Sequence, residues 1–158
     1  MTKICFFEKE FVVFELIRYI DVTNLLNTTK LLKYVKKKFI YRKLNKKYSL
    51  EYYNNEEFRN IIHNSIKNPN KQISLNLSEC KKITDVSALG NVHNLNLSDC
   101  NNIIDVSALG NVHTLDLSGC KITDISALGR VHTLDLSHCK NITDVSALGK
   151  VHTLNLRH

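Results

Sequence analysis

Three residue types recur in this chain at intervals that invite chemistry. Cys80, Cys100, Cys120 and Cys139 stand 19 or 20 residues apart, and so do His93, His113, His132 and His152 and, in turn, Asp85, Asp105, Asp124 and Asp144. Thiols and imidazoles at close spacing bind zinc, adjacent thiols oxidise to disulfides, and clustered carboxylates take calcium or move protons. The spacing speaks against each of these. No C-x-x-C or H-x-x-x-H pair occurs, and calcium needs several oxygen ligands converging on one point, which one Asp per interval does not supply. A column of identical residues also gives no unique, asymmetric pocket, and no nucleophile stands beside a base in a distinctive setting. The sequence therefore reads as non-catalytic, with no cofactor and no metal.

The elements that must position these columns come from self-similarity. The block VHTLDLSHCKNITDVSALGK, 131–150, recurs with few changes, and Val92, Val112, Val131 and Val151 begin successive copies at spacings of 20, 19 and 20. A more divergent copy begins near Gln72, where Leu75, Leu77 and Cys80 keep the register. Each unit follows L-x-x-L-x-L-x-x-N/C-x-L, the signature of leucine-rich repeats, whose alternation at Leu115 and Leu117 is that of a short strand with one buried face. The strands are expected to stack in parallel. Leu75, Leu95, Leu115, Leu134 and Leu154 then make one interior column, and Leu77, Leu97, Leu117, Leu136 and Leu156 a second. Ile83, Val86 and Leu89 and their counterparts, three residues apart, suit a tight 3₁₀-like return. Gly90, Gly110, Gly129 and Gly149 are expected to let the chain turn back into the next strand. The fold class is thus α/β: a short solenoid of about four and a half units over residues 72–158, in which stability comes from stacking neighbours. It ends in mid-unit at Leu156-Arg157-His158, where the last strand edge is expected to be covered by a partner or weak.

In such a stack the cysteines point inward to loop backbone groups as small thiols. The Asp column accepts backbone N–H bonds at the start of each return. The histidines lie at the start of each strand, where protonating them together below about pH 6 would set like charges against one another; copying of one ancestral unit also accounts for them. The exposed strand face carries Asn76, Asn96, Asp116, Asp135 and Asn155 in one row, with Ser78, Ser98, Ser118, Ser137 and Arg157 beside it. Glu79, Asp99, Gly119, His138 and His158 make the next row and vary from unit to unit, as a binding surface would. We take Asn96, Asp99, Asp116, Asp135, His138 and Asn155 as the candidate contacts to a target protein.

Composition sets the rest. The net charge of +7 is uneven: residues 1–72 hold 15 Lys/Arg against 7 Asp/Glu, residues 73–158 hold 7 against 8. Much of the excess sits in Lys36, Lys37, Lys38, Arg42, Lys43, Lys46 and Lys47. This cluster reads as a solvated face, with a basic nucleic-acid-binding head as the alternative. No segment approaches the roughly 18 apolar residues of a membrane span, and Glu8, Lys9, Glu10 and Glu15 interrupt the only stretch placed to serve as a signal peptide. A reducing cytosol or nucleus is expected, with all five cysteines as thiols.

Residues 10–66 lack the repeat and read as helices. Phe11, Phe14, Leu16, Ile17 and Ile20 form the apolar part of the first, Asp21 and Thr23 cap a short second one through Leu26, and Leu31, Leu32, Val35, Phe39 and Ile40 mark a longer third. Asn54 or Asn55, before Glu56 and Glu57, opens a last helix through Phe58, Ile61, Ile62 and Ile66, and Asn68-Pro69-Asn70 ends it. The stretch FELIRYIDVTNLLNTTKLLKYV, Phe14 to Val35, resembles an F-box: an apolar helix ends in a turn at Tyr19-Ile20-Asp21, continues through Asn24-Leu25-Leu26 and is followed by the Lys-containing helix Lys30 to Val35. Joined to repeats such as ITDVSALGNVHTLDLSGC, it looks like the F-box and leucine-rich-repeat proteins of amoeba-infecting giant viruses. The repeats alone also resemble bacterial internalins, which are exported.

The resemblance implies a division into an F-box-like helical domain at 1–50, a helical linker or cap at 51–71, and repeats at 72–158. It further implies a non-catalytic substrate receptor of an SCF-type cullin-RING ubiquitin ligase in the host cytoplasm or nucleus. Its head would dock on a Skp-type adaptor of the host through Val13, Phe14, Ile17, Ile20, Leu25 and Leu26, while the repeats hold an unknown protein target. The alternative is a leucine-rich-repeat scaffold without a ubiquitin role, whose head caps the first strand by burying the helix that contains Ile61 and Ile62.

Overall fold

The computed structural model describes residues 41–65 and 72–157. Short extended segments at each repeat pair side by side into a parallel sheet. In chain order the strands are β1 (Tyr41–Lys43), β2 (Gln72–Asn76), β3 (Asn94–Asn96), β4 (Thr114–Asp116), β5 (Thr133–Asp135) and β6 (Thr153–Asn155), and their spatial order is the same. The register aligns Leu75 with Leu95, Leu95 with Leu115, Leu115 with Leu134 and Leu134 with Leu154. The first interior column is buried as expected at Leu75, Leu95, Leu115 and Leu134, but Leu154, on the last strand with no rung stacked beyond it, is exposed, and Leu156 of the second column is only half-buried. The second is buried at Leu77, Leu97, Leu117 and Leu136.

Between strands the chain returns through a 3₁₀ turn: Ser87–Leu89, Ser107–Leu109, Ser126–Arg130 and Ser146–Leu148. Ile83, Val86, Leu89 and their counterparts at 103, 106, 109, 122, 125 and 128 fill the interior between sheet and turns. Each unit alone would leave this surface in water, so neighbouring rungs supply most of the burial.

The glycines work differently from the expectation. Gly90, Gly110 and Gly149 have φ near −60° in the right-handed helical region, which any residue adopts. What excludes a side chain is proximity. A Cβ on Gly90 would collide with the carbonyl oxygen of Ala108, one on Gly110 would sit 2.5 Å from that of Ala127, and one on Gly129 would collide with that of Ala147. Glycine thus lets adjacent rungs approach, rather than reversing the chain.

A second correction concerns residues 10–66, read throughout as helical. Tyr41–Lys43 is a strand and forms the first rung of the sheet, pairing with Gln72, Ile73 and Ser74. Its sequence, YRK, sits in the lysine-rich run and carries no apolar alternation, so the pairing partner sets its conformation. Two helices follow: α1 (Lys46–Asn54), which runs across residue 50 where the head was divided from the linker, and α2 (Glu56–Ser65). Asn45 caps α1 by accepting from the Tyr48 amide at 3.1 Å. Asn55 ends α1 and opens α2, its side chain accepting from the Phe58 amide at 3.0 Å.

Of the two sequence candidates for that cap, Asn55 is the one used. The Arg59 guanidinium donates to the carbonyls of Tyr52 and Tyr53 at 2.9 and 2.7 Å and so satisfies the end of α1. Tyr52 and Ile62 are fully buried. The helices are tied to the sheet by Ser49, a buried residue whose hydroxyl donates to the Leu44 carbonyl (3.2 Å) and accepts from the Asn76 amide (2.9 Å). The described residues all belong to one unit that begins at Ile40.

Candidate functional site

The strand rows set the site. Asn96, Asp116, Asp135 and Asn155 occupy matching positions on β3 to β6, so the register brings these four candidates into one line. Their orientation is fixed. In each rung the side-chain oxygen turns down the strand to accept the amide of the serine two residues on: Asn96 from Ser98 (2.9 Å), Asp116 from Ser118 (3.0 Å) and Asp135 from Ser137 (2.8 Å). The serine hydroxyls add a second bond to the same oxygen, at 2.9, 2.7 and 2.7 Å. Asn155 accepts from the Arg157 amide at 3.3 Å and donates from Nδ2 to the free oxygen of Asp135 at 2.9 Å.

Partial burial pushes the Asp135 carboxyl up. The Ser137 hydroxyl and amide, the Asn155 amide group and the nearby His138 outweigh this and hold it below its usual range. The row is thus a rigid line of half-exposed hydrogen-bonding groups.

Asp99 and His138 lie in the neighbouring row, exposed. Here the structure adds something that the sequence reading missed. Glu79, Asp99 and His138 have φ of 59°, 58° and 60°, and Gly119, at the same step, has 72°. This is the left-handed region that glycine tolerates best. The signal available in the sequence was Gly119 itself, which marks the position as a tight turn that Glu79, Asp99 and His138 share. Variation along this row combines surface identity with a backbone constraint.

The remaining columns are structural. Cys100, Cys120 and Cys139 are buried thiols that donate to the carbonyls of Leu77 (3.1 Å), Leu97 (3.2 Å) and Leu117 (3.1 Å), each one rung back. Burial raises all three, Cys120 to about 12. Asp85, Asp105, Asp124 and Asp144 accept from the amides of Ser87, Ser107, Ser126 and Ser146 at 2.8 to 2.9 Å. Those bonds, and the serine hydroxyls after them, lower all four carboxyls.

The histidines stack face to face, with ring centroids 4.5 to 4.6 Å apart from His93 to His152. Near-parallel planes keep their lone pairs parallel, whereas metal ligands must converge. Among the described residues no group of three or more His, Cys, Asp or Glu is arranged to hold a metal ion, and no helix is long and apolar enough to cross a membrane. The adaptor candidates Val13, Phe14, Ile17, Ile20, Leu25 and Leu26 lie outside the described residues.

Parallel single-sheet rungs, 3₁₀ returns and an inward leucine ladder define a leucine-rich-repeat solenoid, a protein-interaction module. Residues 110–150 match the family model described as leucine-rich repeats, two copies. A crystal structure of internalin C2 from Listeria monocytogenes is similar at 28% identity over 55% of this chain, with a TM-score of 0.43. The chain spans 42% of that protein's length. No curated protein matches the chain.

Proposed function

We propose that this protein is the substrate receptor of an SCF-type cullin-RING ubiquitin ligase acting in a host cytoplasm or nucleus, in which the solenoid holds a target protein and partners perform ubiquitin transfer. The observation that carries the target-binding half is the line Asn96–Asp116–Asp135–Asn155, whose side chains are held in place before any partner arrives. Preorganised groups lose less conformational entropy on binding. The adaptor half rests on the F-box-like stretch Phe14 to Val35. Co-purification with a Skp-type adaptor tests it. Wild type retains the adaptor, and Phe14→Asp with Leu25→Asp loses it while keeping its fold. An adaptor that fails to bind folded wild type removes the ligase role. Asp116→Arg is expected to keep the adaptor and lose the target.

A second reading, a scaffold without a ubiquitin role, draws on the helical pair. Ile62 and Tyr52 are buried and the Ser49 hydroxyl of α1 accepts from the Asn76 amide of β2, so the helical pair is anchored through α1 to the first rungs of the sheet. Terminal rungs of solenoids need such a cap.

A further inference from the structure

We propose that the stacked imidazoles of His93, His113, His132 and His152 form an acid-sensitive ladder, closed while neutral and forced apart when charged, so that acidification loosens the solenoid along one edge. The geometry is regular: centroid steps of 4.5, 4.6 and 4.6 Å, with interplanar angles of 25°, 28° and 15°. Imidazole is the side chain that ordinarily changes charge between pH 5 and 8. Two unit charges about 4.5 Å apart repel by an amount equivalent to about a fivefold change in an equilibrium constant even at the dielectric of water, and by more where water is excluded.

The rings are coupled to the backbone ladder at the same residues. The His93 carbonyl accepts from the amides of both His113 and Thr114, at 3.0 Å each. The His113 carbonyl accepts likewise from His132 and Thr133, and that of His132 from His152 and Thr153, at 3.0 to 3.1 Å. Separating the rings therefore pulls on the bonds that join consecutive rungs.

Among the described residues, little faces the rings that could neutralise the charge. On β2 the register position is Ile73, which is buried and ends the ladder. His113 Nδ1 lies 3.3 Å from the Thr114 hydroxyl. The carboxylates of the same strands, Asp116 and Asp135, are turned to Ser118 and Ser137. Those of the returns, Asp85, Asp105, Asp124 and Asp144, are turned to their own serines. Arg130 and Lys150 precede His132 and His152 by two residues and add charge of the same sign. In the helical pair, His63 lies 2.6 Å from the Tyr52 hydroxyl. Burial, and then the charge of His113, hold His93 below its ordinary value.

The test uses the full chain. Urea unfolding is measured at pH 7.5 and 5.5 for wild type and for His113→Asn with His132→Asn, which removes all three stacked pairs. On acidification the unfolding equilibrium constant of wild type is expected to rise at least about fivefold more than that of the variant, with the gap narrowing in 1 M salt. Alongside it, the imidazole carbon resonances of wild type are followed by NMR. Coupled sites titrate over a wider pH span than a single-site curve allows. Equal responses in both proteins overturn the proposal, as do four independent single-site curves. If the variant does not fold, the wild-type titration alone decides.

Discussion

The Cys120 thiol donates to the carbonyl oxygen of Leu97, 3.2 Å away and one rung earlier in the stack. The same bond recurs from Cys100 to Leu77 and from Cys139 to Leu117. Reactivity of a cysteine follows its thiolate and its exposure, and both are suppressed here, with Cys120 buried and pushed up to about 12. In a Cys5→Ser background, an aromatic disulfide reagent at pH 8 is expected to modify partly exposed Cys80 first. It should reach Cys100, Cys120 and Cys139 only on unfolding.

Rung contact makes a second prediction through two glycines of the same motif. Gly110→Ala sets a methyl group against the Ala127 carbonyl and should cost about 1–3 kcal/mol, as overpacking does. Gly149→Ala meets nothing within 4 Å and keeps its φ of −60°. It should leave stability unchanged or raise it by up to about 1 kcal/mol, since alanine restricts the unfolded chain. Thermal unfolding of the two variants side by side checks this. Equal losses would contradict the role assigned to close approach.

Much of this is legible in the sequence, and the reason is the repeat. Five copies of one pattern fix the register of Leu75 through Leu154, because a slip by one residue would turn the buried leucines Leu75, Leu95, Leu115 and Leu134 to the solvent face. The Asp85 column and the inward cysteines followed from single side chains meeting nearby backbone groups. What escaped depends on partners distant in sequence. Tyr41–Lys43 becomes a strand because β2 offers it an edge, and no local pattern encodes that. The sequence suggests torsional freedom for the glycine column, whereas Gly90, Gly110 and Gly129 answer to an adjacent carbonyl, which is visible only once rungs are stacked. On the strand face, the repeat alone aligns Asn96, Asp116, Asp135 and Asn155 in one row. Its clamping by Ser98, Ser118 and Ser137, and the left-handed turn at Asp99 and His138, required geometry.

The leucine columns give a graded prediction. Leu115 is 1% exposed and Leu154, on β6, is 37% exposed. Leu115→Ala should cost about 2–5 kcal/mol as a full core truncation, and Leu154→Ala distinctly less. Denaturant midpoints with unchanged slopes provide the measurement.

Acid stability should depend on the return-segment carboxylates. Asp85, Asp105, Asp124 and Asp144 are lowered from 3.8, first by the serine amides and then by the serine hydroxyls. The unfolded chain therefore takes up protons at higher pH than the folded one. Their contribution is complete above about pH 4 and is lost as pH falls through the lower folded values. Asparagine keeps the accepting oxygen without the charge. Replacing all four by Asn should flatten the acid limb of the stability curve below pH 4 and leave the region above it little changed in slope, as read by circular dichroism.

Selectively methyl-labelled leucine in an otherwise deuterated chain tests the central claim most directly. A parallel ladder predicts an unbroken series of methyl contacts by NMR from Leu75 to Leu95, Leu115, Leu134 and Leu154, with the middle three shielded from a soluble paramagnet. Absence of contacts between Leu95, Leu115 and Leu134, or exposure of their methyl groups to the paramagnet, would contradict it.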